Sequence, residues 1–145
     1  MPKEKRIEFE IRKVNNLIKR EIESSKTFQE TTGLHGWAIG WLYENRNRQI
    51  FQRDFEERFS IRRSTASNIL ALMEKNGLIK RESVESDARL KRITLTQKAI
   101  DIHRQVEREI SDREARIIKG INSADLDTFF KVINAIKGNL GEDND

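Results

Sequence analysis

FSIRRSTASNILALMEKNGLIKRESVESDARLKRITLT, residues 59–96, decides the fold. Ala66, Ile69, Leu70 and Met73 fall at i, i+3, i+4 and i+7, which makes one apolar helix face. Arg63, Ser64, Ser67 and Asn68 fall on the other side. Those side chains are of the types that reach base edges and phosphates in a DNA major groove. Asn76-Gly77 stops the helix, because glycine takes the left-handed C-terminal conformation without steric cost. Leu78-Ile79 then resumes as strand. Lys80-Arg81 and Lys91-Arg92 flank a tip, Glu85–Arg89, and Ile93-Thr94-Leu95 closes a hairpin by its apolar alternation.

Charge follows the same outline. Nine basic residues stand against four acidic ones between Arg58 and Arg92, an excess of five. The whole chain has 28 basic and 24 acidic residues, a net +4. The remainder is therefore near neutral, and the basic excess sits on the proposed reading surface. Arg62 and Arg63 open the helix, where cations oppose the macrodipole. A phosphate beside that turn reverses the sign of the cost; solvation alone is the bland alternative.

Working outward, Phe51, Phe55 and Phe59 repeat at i, i+4 and i+8, a short amphipathic helix over about Ile50–Arg58. Ser60-Ile61 is the turn, with Ser60 as N-cap of the next helix and Ile61 buried between the two. Helix, tight turn, helix and hairpin make a winged helix-turn-helix. Before it, Asn45–Gln49 is a polar loop and Leu34–Tyr43 a helix carrying Trp37, Ile39, Trp41, Leu42 and Tyr43. Gly36 and Gly40 lie four apart within it, at a cost of about 1 kcal/mol each against alanine. Either another helix packs into the notch, or it leaves room for a flat small ligand against Trp37 and Trp41. Lys26–Gly33 is polar and threonine-rich and reads as a break. Ile7, Ile11, Val14, Ile18 and Ile22 form a narrow seam on a long first helix, about residues 4–25.

Past the wing, Thr96 caps a helix over about Gln97–Lys119, with Ala99, His103, Val106, Ile110, Ile117 and Ile121 along one side. Gly120 ends it, and Asn122 or Ser123 caps a last helix with Asp125 and Asp127 in its first turn. Leu126, Phe129, Phe130, Ile133, Ile136 and Leu140 form the apolar face of that helix. Residues 141–145 are a short acidic tail, expected to be disordered. The chain is thus mostly α with a small β-hairpin wing. Residues 34–96 form a winged helix-turn-helix DNA-binding region, and 1–33 with 97–145 form a helical dimerisation region. The long apolar seams exceed what one small winged domain can bury, so a second copy is their expected partner.

At 145 residues the chain is one domain or one domain with an elaborated interface. Hydrophobic and charged residues are 36% each, and the single proline leaves long helices unobstructed. With no cysteine, disulfides, thiolate metal sites, cysteine nucleophiles and thiol-oxidation switches are excluded. The charged first 16 residues show no secretory signal, and no membrane span is expected, so a cytoplasmic location follows. An enzyme is not expected: there is no glycine-rich phosphate loop and no His-x-x-Glu cluster, and His35 and His103 lie far apart. A metal-responsive regulator on those two histidines is a weak alternative, as is a winged helix used only for protein contacts, because this wing is basic. No cofactor is expected.

The recognition helix IRRSTASNILALMEKNGLI, the wing's Asp87-Ala88-Arg89, the Leu95-Thr96 that opens the next helix and the order of elements together resemble the multiple antibiotic resistance regulator (MarR) family. The resemblance covers almost the whole chain. Ala99 stands where the family often has glycine, and the Gly36/Gly40 pair between tryptophans departs from its pattern. The resemblance implies an obligate homodimer on palindromic operator DNA, with Arg89 in the minor groove and Asp87 fixing the wing. It implies that Ser64, Ser67 and Asn68 face the major groove, and that many relatives release DNA on binding small aromatic anions. Expected DNA contacts are Arg62, Arg63, Ser64, Thr65, Ser67, Asn68, Lys80, Asp87, Arg89, Lys91 and Arg92. Trp37 and Trp41 are the candidate wall for an aromatic effector.

Overall fold

The computed structural model describes residues 2, 5–31 and 36–142. The expected helix start at Leu34, His35 and the tail beyond residue 142 lie outside them. Among the described residues, seven helices and one hairpin follow in order: α1 Ile7–Glu23, α2 Lys26–Thr31, α3 Gly36–Glu44, α4 Gln52–Phe59, α5 Arg63–Lys75, β1 Ile79–Val84, β2 Asp87–Leu95, α6 Gln97–Ile117 and α7 Ser123–Asn139. The chain divides into two compact units, Met1–Glu107 and Arg108–Asp145. Among the described residues, no helix is long and apolar enough to cross a membrane.

The core lies in the first unit. It gathers Ala38, Ile39, Trp41 and Leu42 of α3, Ile50, Phe55 of α4, and Ala66, Leu70 and Met73 of α5. Leu78, Ile79, Ile93, Ala99 and Ile102 complete it. Fully burying a side chain such as Leu70 or Phe55 stabilises by about 1.5–3 kcal/mol. Ala99 and Ile102 therefore bind the start of α6 to the winged unit. The hairpin is antiparallel, with Arg81 opposite Ile93 and Ser83 opposite Lys91. Its loose side is tied down by the Ile93 N–H, which donates to the Ile50 carbonyl at 2.7 Å.

Several local expectations are corrected. Lys26–Gly33 is not a plain break: α2 forms there, because Ser25 Oγ accepts from the Phe28 N–H at 3.1 Å and caps the turn. Ser60 does not cap α5. It closes α4 instead, in the left-handed conformation with φ 50°, and Arg62 takes the N-cap position of α5 without a side-chain bond. That shift lets the chain reverse sharply and half-bury Ile61 against the core. The turn of the wing is two residues, Glu85-Ser86, and β2 begins at Asp87, with residues 88–90 left out of the pairing beside it.

Other expectations hold. Gly77 stops α5 with φ 71°. Thr96 Oγ1 accepts from the Ala99 N–H at 3.2 Å and donates to the Gly77 carbonyl at 2.6 Å, so one hydroxyl caps α6 and clamps it to the end of α5. Asn122 Oδ1 accepts from the Asp125 N–H at 2.8 Å and caps α7.

Candidate nucleic-acid interface

The exposed face of α5 carries Arg63, Ser64, Thr65 and Asn68, with Arg62 just before it. The same helix buries Ala66, Leu70 and Met73. The amphipathic stripe thus fixes which way the polar residues point. Ser67 lies on the flank between the two faces. It is half-buried, and Gln52 of α4 donates to its Oγ at 2.9 Å.

The wing stands beside that flank. Asp87 Oδ1 accepts from the Arg89 N–H at 2.9 Å, a local turn that holds the backbone two residues on. The pairing then jumps from Val84 opposite Asp87 to Ser83 opposite Lys91, so Ala88, Arg89 and Leu90 bulge out of the ladder. The bulge leaves Arg89 and Leu90 exposed at the tip.

Between α4, α5 and the wing runs an open groove of about 470 Å³. Phe51 and Ile93 lie along it, with Arg53, Arg63, Arg81, Arg89 and Lys91 against the single acid Glu56. The lining is net positive, although Arg53 pairs with Glu57 at 3.4 Å. Arg81 is partly spent: it pairs with Glu74 at 3.3 Å, and its hydrogen bond holds the Glu74 carboxyl below the ordinary carboxylate range. Arg62, Arg63, Arg89 and Lys91 form no ion pair among the described residues. Opposed residues of a hairpin share a face, and faces alternate along each strand. Arg81, Lys91 and Ile93 therefore turn to the groove. Lys80 and Arg92 take the other face, where Arg92 pairs with Glu82 at 3.4 Å. The structure does not bring those two expected contacts to the groove.

Reasoning from sequence missed Gln52, Arg53 and Leu90 as groove residues. Arg53 and Gln52 sit on the helix before the turn, and nothing in their local pattern marks them. Leu90 carries the one usable signal, an apolar residue between Arg89 and Lys91 in an otherwise polar tip.

Trp37 and Trp41 form a cluster with Phe55 and Phe59, the Trp37 and Phe59 rings lying 4.1 Å apart. Trp41 is buried, whereas Trp37 is 42% exposed. A Cβ added at Gly36 or Gly40 would meet nothing within 4 Å, so no described helix fills that notch. His103 is half-buried and lies against Tyr43, the rings tilted at 32° with centroids 4.2 Å apart. Among the described residues, no three His, Asp or Glu side chains gather as a metal-binding group.

The model of the MarR family matches residues 30–90, the span from α2 to the wing tip. Three solved structures share the fold over nearly the whole chain. A Staphylococcus aureus MepR–DNA complex is 18% identical with a TM-score of 0.79, covering 92% of this chain and 98% of its own. The heme sensor PefR from Streptococcus agalactiae, in complex with heme, is 25% identical with a TM-score of 0.67, covering 91% and 89%. The transcription regulator MarR from Oenococcus oeni is 23% identical with a TM-score of 0.56, covering 90% and 98%.

Proposed function

We propose that this chain, a member of the MarR family of winged-helix DNA-binding transcription regulators, is a homodimeric repressor of a palindromic operator that a small aromatic ligand releases. Members of that family are regulators and not enzymes. The observation that carries the DNA reading is the basic groove between α5 and the wing, with Arg63, Arg89 and Lys91 unpaired beside it. In this reading the start of α5 enters the major groove with Ser64, Asn68 and Ser67. Arg62 and Arg63 meet phosphates, which offsets their poor fit to the helix dipole. Arg89, pushed out by the bulge, senses the width and potential of the adjacent minor groove.

The dimer reading rests on the apolar residues of α1 and α7. No residue of either helix is buried within the chain: Val14 is 52%, Leu17 60% and Phe130 59% exposed. Two recognition helices related by a two-fold axis match half-sites about one helical turn apart. If Arg62, Arg63 and Lys91 at phosphates and Arg89 in the minor groove each displace one counterion in both subunits, log K against log salt falls with a slope of about −7. Selection of duplexes from a random pool, then titration of the winner from low to moderate salt, checks this. A flat response sinks the reading.

For the effector, Trp37 offers a half-exposed ring beside the open Gly36–Gly40 side of α3. Such a surface suits a flat aromatic anion. Heme, the ligand of PefR, is flat, aromatic and anionic, so it is the first probe, with small aromatic acids beside it. Tryptophan fluorescence titrated alongside operator release tests the idea. If no compound both quenches the tryptophans and frees DNA, the effector reading is dropped.

A further inference from the structure

Gln52 is the first residue of α4 and lies fifteen positions before Ser67, yet its side chain closes onto the recognition helix. Its Nε2 is 2.9 Å from Ser67 Oγ and 3.4 Å from the Arg63 carbonyl oxygen. That pair of contacts decides the direction of the hydrogen bonds. A carbonyl oxygen only accepts, so the amide must turn its NH2 toward α5. The flipped amide would set Oε1 against the carbonyl with like partial charges. The amide nitrogen has no lone pair to offer, so Ser67 Oγ must be the acceptor in the shorter bond. The Ser67 proton is not spent on Gln52. Nor does it bond back to the Arg63 carbonyl one turn earlier, and Gln52 is its one partner among the described residues.

We infer that Gln52 is a positioning residue that presents Ser67 to DNA with its proton free, so that a base offering an acceptor opposite Ser67 is favoured over one offering a donor. Ser67 lines the basic groove together with Arg63, Arg89 and Lys91. In the major groove, guanine offers N7 and O6, thymine offers O4 and adenine offers N7. Cytosine offers only its N4 amine, a donor. A serine left to itself rotates its proton and tolerates either sign. One that already accepts from an amide keeps one lone pair fewer and a more polarised O–H, so it favours an acceptor opposite it. The inference rests on the DNA-binding reading and adds the polarity of one base contact to it.

The test uses the full chain and its selected operator, with all four base pairs placed in turn at each half-site position. Wild type, Ser67→Ala and Gln52→Glu are compared by equilibrium binding, with thermal unfolding as the check on folding. In wild type, one position is expected to bind about tenfold more weakly when cytosine faces the helix than when guanine or thymine does. Ser67→Ala flattens that position and leaves the others unchanged. In Gln52→Glu the carboxylate only accepts, so it takes the Ser67 proton and turns the oxygen lone pairs outward. The preference at the same position then moves toward cytosine or levels out. A Ser67→Ala profile identical to wild type overturns the inference. So does an equal loss on every duplex, which would mark Ser67 as a phosphate contact. A folded Gln52→Glu with the wild-type preference overturns it too. If Gln52→Glu does not fold, Gln52→Ala takes its place: a weakened preference at that position supports the inference and an unchanged preference overturns it. Failure of wild type to bind any duplex sinks the DNA-binding reading itself, a separate result.

Discussion

Arg89→Ala is expected to weaken binding to every duplex alike and to flatten its salt dependence. The reason lies in how the wing is built. Asp87 ties the Arg89 N–H and sets the turn, and the bulge lifts residues 88–90 clear of the ladder. The guanidinium has no acidic partner among the described residues, so in the proposed reading its charge is free to meet the minor groove. An arginine there reads width and negative potential, not a base pattern, so its loss carries little sequence signature. In a dimer the substitution occurs twice. Each lost charge removes about 0.9 from the salt slope, so the slope should shrink by about 2. The measurement is binding at four or five salt concentrations on the operator and on an unrelated duplex. If the loss were confined to the operator, Arg89 would belong with the base-reading residues. Asn68→Ala is the contrast, because Asn68 stands on the exposed face of α5 with its amide open to a base edge. Its effect should fall on one base position by about 1–3 kcal/mol.

Much of this arrangement was legible in the chain itself. Ala66, Leu70 and Met73 announce the buried stripe of α5, and all three are completely buried. Gly77 and Thr96 are local signals with local consequences, and both stand where their chemistry places them. Ser60 misled because serine before a helix is usually its cap; here it ends α4 in the left-handed conformation, and Ile61 after it packs half-buried on the core. The missed helix α2 had a readable start in Ser25, overruled by the polar, threonine-rich composition that follows. Lys80 and Arg92 were grouped with Lys91 because sequence proximity hides the alternation of a hairpin, where one position decides the face. Gln52 could not have been found at all. Its importance depends on how α4 crosses α5, a tertiary fact with no trace in the residues beside it. The same holds for Trp37 and Trp41: their spacing is visible, but their partners Phe55 and Phe59 come from another helix.

Phe130→Asp should leave a protein that is monomeric or unfolded. Helix α7 belongs to the unit Arg108–Asp145, and none of its residues is buried. Phe129 and Phe130 are 54% and 59% exposed, with Val132 beside them at 50%. Phenylalanines half open to water on a helix otherwise capped and well formed are explained if a second copy covers them. Burial of one such ring stabilises by about 1.5–3 kcal/mol. An aspartate in its place forfeits that and adds the cost of an unpaired buried charge, about 3–5 kcal/mol. Two-fold symmetry applies the change twice. The sum exceeds about 8 kcal/mol, on the order of a millionfold in dissociation constant, beyond what a dimer stable at micromolar concentration withstands. Light scattering on wild type and variant gives the masses, and circular dichroism separates dissociation from unfolding. Glu142→Gln, on the exposed end of the chain, serves as the surface control and should change neither. A wild type that is a folded monomer at micromolar concentration removes the dimer. A folded, dimeric Phe130→Asp keeps the dimer but takes α7 out of its interface, leaving the apolar residues of α1 to carry it.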